Sequence, residues 1–203
     1  EYERVVITLP EGIRESGGVG LDANEERIFF AAKLEDELSA IYSVDLKSGN
    51  LKKLKEVPFR ANHLQANPWV SGEIMYCWET GGDAPQRMWY LSVDKNGTVK
   101  NRAVYKEKAD EWVTHEVFAG PDHILCNVIA HLERLKSNDT GIFSYNLRIG
   151  EVQKFDQANR GGYGHAAATK DLKGAVGDTF AGDPFRLNIQ NGEVPLHTSH
   201  HMP

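Results

Sequence analysis

Cysteine, positive charge, long apolar runs and amphipathic helical patterns are all in short supply in this chain, and each shortage narrows the reading before any motif is considered. The 203 residues contain only two cysteines, Cys77 in "IMYCWE" and Cys126 in "ILCNVIA". Both sit inside apolar runs, where a thiol packs as a small hydrophobe, and they give no sign of a disulfide framework or of an oxidising compartment. No window approaches the roughly 18 uninterrupted apolar residues of a membrane helix, and no charged-then-apolar start resembles a signal peptide, so no membrane partner is expected. The net charge of −6 leaves no basic stripe to release phosphate counterions, which argues against nucleic acid as a general partner. An anionic substrate would need locally placed cations. Long helical periodicity is missing as well, which removes the α/β folds. The chain starts at Glu1, not at an initiator, and is read as a processed or partial product.

What is present is a period. Four segments share a plan of apolar strand, Asp or Asn, glycine turn and second strand: "IYSVDLKSGNLKKL", "WYLSVDKNGTVKNR", "IFSYNLRIGEVQKF" and "FRLNIQNGEVPLH". Each reads as a β-hairpin. Their turn glycines, Gly49, Gly97, Gly150 and Gly192, are separated by 48, 53 and 42 residues. Another pair of short strands precedes each hairpin, as in "GVGLDANEERIFFAAK" and "HLQANPWVSGEIMYCWE". Four strands per repeat of roughly 40 to 50 residues is the signature of a β-propeller blade. The expected fold is therefore all-β, a single propeller domain over 1–203, with about four four-stranded antiparallel blades that form part of a larger ring. A β-sandwich is the alternative, but it has no reason to repeat a four-strand unit with its turn chemistry in phase.

Aligning the repeats on their second strands, at Ile28, Ile74, Ile124 and Ala175, places Gly18, His63, His115 and His165 at the start of each first strand. In a propeller these strands line the central channel, so the histidines should converge. In an up-down-up-down blade, the first-strand start and the loop between second and third strands emerge on one face, and the glycine hairpins on the other. The histidine face then receives "WETGGDAPQRMW" with Glu79, Gln86 and Arg87, "AHLERLKSNDTG" with His131 and Arg134, "GDTFAGD" with Asp178 and Asp183, and the terminal "HTSHHMP" with His197, His200 and His201. A single histidine at a strand start is ordinarily a hydrogen-bonded structural residue; three in register point instead to a site. A Glu79–Arg87 pair could equally be a rim ion pair of little consequence.

The motifs "HLQANPW…GEIMYCWETGGDAPQRMWYLSVDKNGT", "WVTHEVF" and "GGYGHAAATKD…AVGD" resemble the oligogalacturonate lyase family over most of residues 60 to 180. That family consists of manganese-dependent seven-bladed propellers that split pectate-type uronic-acid oligomers by β-elimination. The resemblance implies a divalent metal, Mn²⁺ in the family, held by histidines and a glutamine, and an anionic oligosaccharide partner. His165 matches the histidine at the family's blade start. The second metal segment, Gln-x-x-His-x-His in the family, is replaced here by His197 at glutamine spacing from His200, with His201 adjacent where the family alternates. The blade period puts the next column position roughly at 206 to 210, past Pro203. The family's arginine shortly after the histidine matched by His63 is also absent; the stretch reads Gln65-Ala66-Asn67.

The chemistry that the resemblance implies sets the expected roles. Removing the C5 proton beside a carboxylate and expelling the C4 oxygen requires a base and positive charge on the developing enediolate. His115 is the expected base and Arg87 the charge-stabilising group. His63 completes the catalytic set beside its substrate contacts, while Gln65, Glu79 and Gln86 bind substrate. His165 is the metal ligand, with His197, His200 and His201 as further candidates. The rival classes are a non-catalytic propeller that binds a glycan or protein, and a related lyase for another uronide such as rhamnose-linked glucuronate.

Overall fold

The computed structural model describes residues 3–35, 37–80, 84–109, 111–129, 141–154, 163–169, 171, 173–179 and 184–188. The turn at Gly192, the strand after it, His131, Arg134, Asp183, His197, His200 and His201 lie outside the described residues. The chain divides into two compact units, residues 1–104 and 105–203, and every described element in them is a strand.

The first unit holds two sheets. One runs in sequence order through β1 (Arg14–Leu21), β2 (Arg27–Lys33), β3 (Ser39–Asp45) and β4 (Leu51–Val57). The other runs through β5 (Ala61–Ala66), β6 (Glu73–Trp78), β7 (Met88–Val93) and β8 (Val99–Ala103). In the second unit β9 (Trp112–Phe118), β10 (His123–Ile129), β11 (Gly141–Asn146) and β12 (Val152–Lys154) form a third sheet, and β13 (Tyr163–Ala168), β14 (Gly174–Thr179) and β15 (Pro184–Asn188) a fourth. All pairings are antiparallel.

Burial follows position in each sheet. The middle strands "IFFAA", "AIYSV" and "IMYC" are buried on both faces, which is why they read as unbroken apolar runs and not as alternations. The fourth strands "LKKLKEV", "VKNRA" and "VQK" are largely exposed and carry lysines. Charge of that kind on an outer strand discourages edge-to-edge pairing.

The hairpin glycines sit where the sequence places them. Gly49, Gly97 and Gly150 adopt φ of 73°, 79° and 73° between third and fourth strands. Asp45 and Asp94 accept hydrogen bonds from backbone N–H groups of these turns, Ser48 to Asp45 and Asn96 and Thr98 to Asp94. These bonds hold both carboxyls below their usual range.

Within the first unit the two sheets are joined by an apolar core and a polar staple. Phe59, in the link between β4 and β5, stacks on Trp78 at 4.9 Å and meets Trp89 at 5.4 Å, so both tryptophans are blade-contact residues. Asp22, 1% exposed, accepts from Arg27 Nε (2.6 Å), the Ser71 hydroxyl (2.9 Å) and the Gly72 N–H (2.8 Å). Cys77 and Cys126 form no disulfide and are fully buried, and burial raises the Cys126 thiol well above its usual value.

Candidate functional site

Every first strand breaks register at the same place. In β1 the residues Ser16, Gly17 and Gly18 stand opposite Ala31; in β5 His63 and Leu64 stand opposite Tyr76. In β9 His115 and Glu116 stand opposite Cys126, and in β13 Gly164 and His165 stand opposite Asp178. An extra residue on one strand is a β-bulge, a feature that re-aims side chains. At three of these bulges the chain enters the left-handed region: Gly18 at φ 95°, His63 at 50° and His115 at 52°. Glycine takes that conformation freely, and histidine does so at a cost of order 1 kcal/mol or more. Nearby side chains satisfy N–H groups that the bulges release. Glu15 accepts from Gly17 and Gly18, Asn62 from His63 (2.7 Å), and Asp178 from His165 (2.7 Å).

In the first unit the bulge histidine meets the β6–β7 connection. His63 Nε2 is 3.3 Å from Glu79 Oε2, and Arg87 Nη1 donates to the same oxygen at 3.4 Å. Glu79 directly follows β6 and Arg87 directly precedes β7, which is why residues eight apart share one end of the sheet. Arg87 is only 3% exposed, while the His63 side chain is 42% exposed. A buried guanidinium requires a partner, and Glu79 provides one while presenting its carboxylate to the imidazole. Arg87 therefore touches Glu79 and stands behind it, away from open surface.

In the second unit the bulge histidines meet each other. The His115 and His165 rings are 4.1 Å apart between centroids, inclined by 60°. His165 is the outer of the two, 77% exposed at the side chain, with Nδ1 3.8 Å from Asp178 Oδ1. Glu116, the second residue of its bulge, is buried.

The other expected residues are placed less suggestively. Gln65 lies past the bulge, half-buried, opposite Met75. Gln86 donates its amide to the carbonyls of Met88 (3.1 Å) and Val104 (3.0 Å), which ties the start of β7 to the end of β8. Sequence reasoning treated it as a loop side chain available to substrate; the structure shows the amide nitrogen in use by backbone. Among the described residues no group of three or more His, Cys, Asp or Glu is disposed to hold a metal ion. His115, His165 and Asp178 by themselves do not fit a metal centre.

Known structures share this architecture. An oligogalacturonate lyase from Vibrio parahaemolyticus superposes with a TM-score of 0.79 at 16% identity, over 96% of this chain and 56% of that one. An oligogalacturonate lyase in complex with manganese gives 0.80 at 19% identity with the same coverage. The β-propeller domain of Cps50 (Swd1) from Myceliophteria thermophila gives 0.56 at 13% identity, over 85% of this chain and 52% of that one. The fold is a β-propeller, in part. The chain spans a little over half the length of the two lyases, and at these identities the likeness is one of fold. No family model matches the chain, and no curated protein matches it by sequence.

Proposed function

We propose that this chain belongs to a lyase that cleaves uronic-acid-containing oligosaccharides by β-elimination. The observation that carries the reading is the pair of histidines, His63 and His115, held in left-handed bulges where glycine would cost less. Strain of this kind persists where a side chain must be aimed, and the aimed side chain here is the commonest biological proton carrier. The fold-level likeness to two oligogalacturonate lyases adds to it.

His115 is assigned as the base. In its neutral form it takes the C5 proton of a uronate ring; the electron pair left behind forms the C4–C5 double bond, the C4–O bond breaks, and the departing oxygen acquires a proton. No water is consumed. His63 contacts substrate, with Glu79 fixing its ring and Arg87 acting through Glu79 as a positioning residue. Gln65 and Gln86 remain proposed substrate contacts. One divalent cation belongs to the proposal, manganese being the ion in one of the similar lyase structures, with His165 as a ligand beside His197, His200 and His201. When bound, it would supply positive charge to the uronate carboxylate. No step above is assigned to it.

The test is incubation of the full-length protein with a panel of uronide oligomers, followed by near-ultraviolet absorbance of the conjugated product and by elemental analysis. His115→Ala should lower turnover by about 10² to 10⁴ and leave metal content unchanged, whereas His165→Ala should lose the metal. Binding of uronides without any new absorbance would defeat the lyase reading in favour of a glycan-binding propeller.

A further inference from the structure

The first sheet carries no histidine at its bulge, yet it has a cavity at the corresponding end. The start of β1 and the β2–β3 connection enclose about 290 Å³ lined by Ser16, Lys33, Glu37, Leu38, Ser39 and Arg60. A wider cavity of about 880 Å³ shares Ser16, Lys33 and Leu38 with it and adds Arg14 together with Glu11, Glu15 and Glu35, so the cationic side chains are concentrated in the smaller space. Three features suit an anion. Among the described residues the Lys33 and Arg60 side chains have no ion-pair or hydrogen-bond partner, although Glu37 lines the same space. The Ser16 hydroxyl is buried and unsatisfied, which folded proteins rarely tolerate without a reason. The Ser39 hydroxyl, buried in the same wall, accepts from the Ala61 N–H at 3.0 Å and keeps its own proton to donate.

The cavity is also joined to the His63 cluster. Arg60 lines it, and its backbone carbonyl accepts from the Glu79 N–H at 2.9 Å. Glu79 is the carboxylate that holds His63 and Arg87. One short stretch, Arg60 to His63, therefore runs from the cavity to the histidine.

We propose that this cavity is an accessory subsite that binds the carboxylate of a uronate unit beyond the first two of the oligomer through Lys33 and Arg60, with the serine hydroxyls taking sugar oxygens. The inference rests on the uronide reading above. Isothermal titration of the full-length protein with galacturonate oligomers of two and four units, and with a neutral galactose tetramer, tests it. The charged tetramer should bind more tightly than the dimer, and the double variant Lys33→Ala/Arg60→Ala should lose about tenfold in affinity for that tetramer alone, with an unchanged melting temperature. Unchanged tetramer affinity in the double variant, or an equal loss for the neutral tetramer, overturns the subsite. Cleavage is read separately: the expected binding pattern without new near-ultraviolet absorbance would refute the lyase activity and leave the subsite standing.

Discussion

The bulge histidines allow a stability test whose sign, and not only its size, is fixed in advance. Replacing His115 by alanine or by glycine removes the imidazole in both cases, so the two variants differ only in what the backbone demands at φ 52°. In an ordinary strand, alanine outperforms glycine by about 0.5–1 kcal/mol, because glycine has more chain entropy to lose. In the left-handed region the order reverses: a Cβ costs roughly 1–2 kcal/mol, and glycine emerges ahead by about 1 kcal/mol. That difference corresponds to about 2–4 °C in melting temperature for a chain of this size. Urea denaturation of both variants, compared at equal slope, reads it directly. The same pair made at His63, φ 50°, should behave alike. Gly18 supplies the reciprocal change. At φ 95°, and with an added Cβ only 3.2 Å from the Leu64 carbonyl oxygen, Gly18→Ala should destabilise by at least as much. An alanine variant equal to or more stable than its glycine counterpart at both histidines would refute the strained-bulge argument, and with it the main support for a site at these positions.

Two further outcomes follow from the polar anchors. Asp22→Ala leaves the buried Gly72 N–H and the Arg27 guanidinium without their shared acceptor, and should cost about 3 kcal/mol, measurable by chemical denaturation. Asp45 and Asp94 are held below the usual carboxylate range by turn N–H groups. A depressed folded value means that their contribution is complete above the unfolded value of about 3.9 and is lost as the pH falls through the folded value, so carboxyl titration by NMR should show both still ionised when exposed glutamates have become protonated.

The hairpins and the middle strands were legible because their determinants are local: a glycine at a left-handed turn, an Asp that accepts from it, and apolar runs of strand length. The assignment of the β6–β7 connection to the histidine end was legible too, since strand direction alone decides it, and Glu79 does meet His63 there. The bulges were not. A period-two pattern cannot show that His63 and Leu64 jointly face Tyr76, because both side chains remain compatible with a strand. One signal was available: Gly18 stands in register with the histidines, and a glycine at an otherwise side-chain-bearing position marks a special backbone. Nor could sequence bring Lys33 and Arg60 together: the hairpin motif between them announces β3 and β4 but not which residues beyond its two ends border one cavity. Gln86 has backbone partners that no motif announces, its amide nitrogen donating to the carbonyls of Met88 and Val104.

The column is thus a backbone feature before it is a histidine feature. The bulge at Gly18, His63 and His115 recurs with left-handed φ whether the side chain is a hydrogen atom or an imidazole, so what repeats from sheet to sheet is a socket that aims its occupant. Chemistry can then differ between sheets without disturbing the ladder: at the first, a glycine near a cavity bordered by Lys33 and Arg60; at the second, an imidazole braced by Glu79 and Arg87; at the third, an imidazole against His165. In the first unit the backbone of each bulge is secured by a neighbouring acceptor, Glu15 for the Gly17 and Gly18 N–H groups and Asn62 for that of His63, and not by the occupant's side chain. Replacing the His63 or His115 imidazole by glycine, which takes the left-handed backbone without strain, should therefore alter turnover or binding while sparing the fold. Substituting the acceptor that secures the bulge should instead release the backbone that aims it, and lower both.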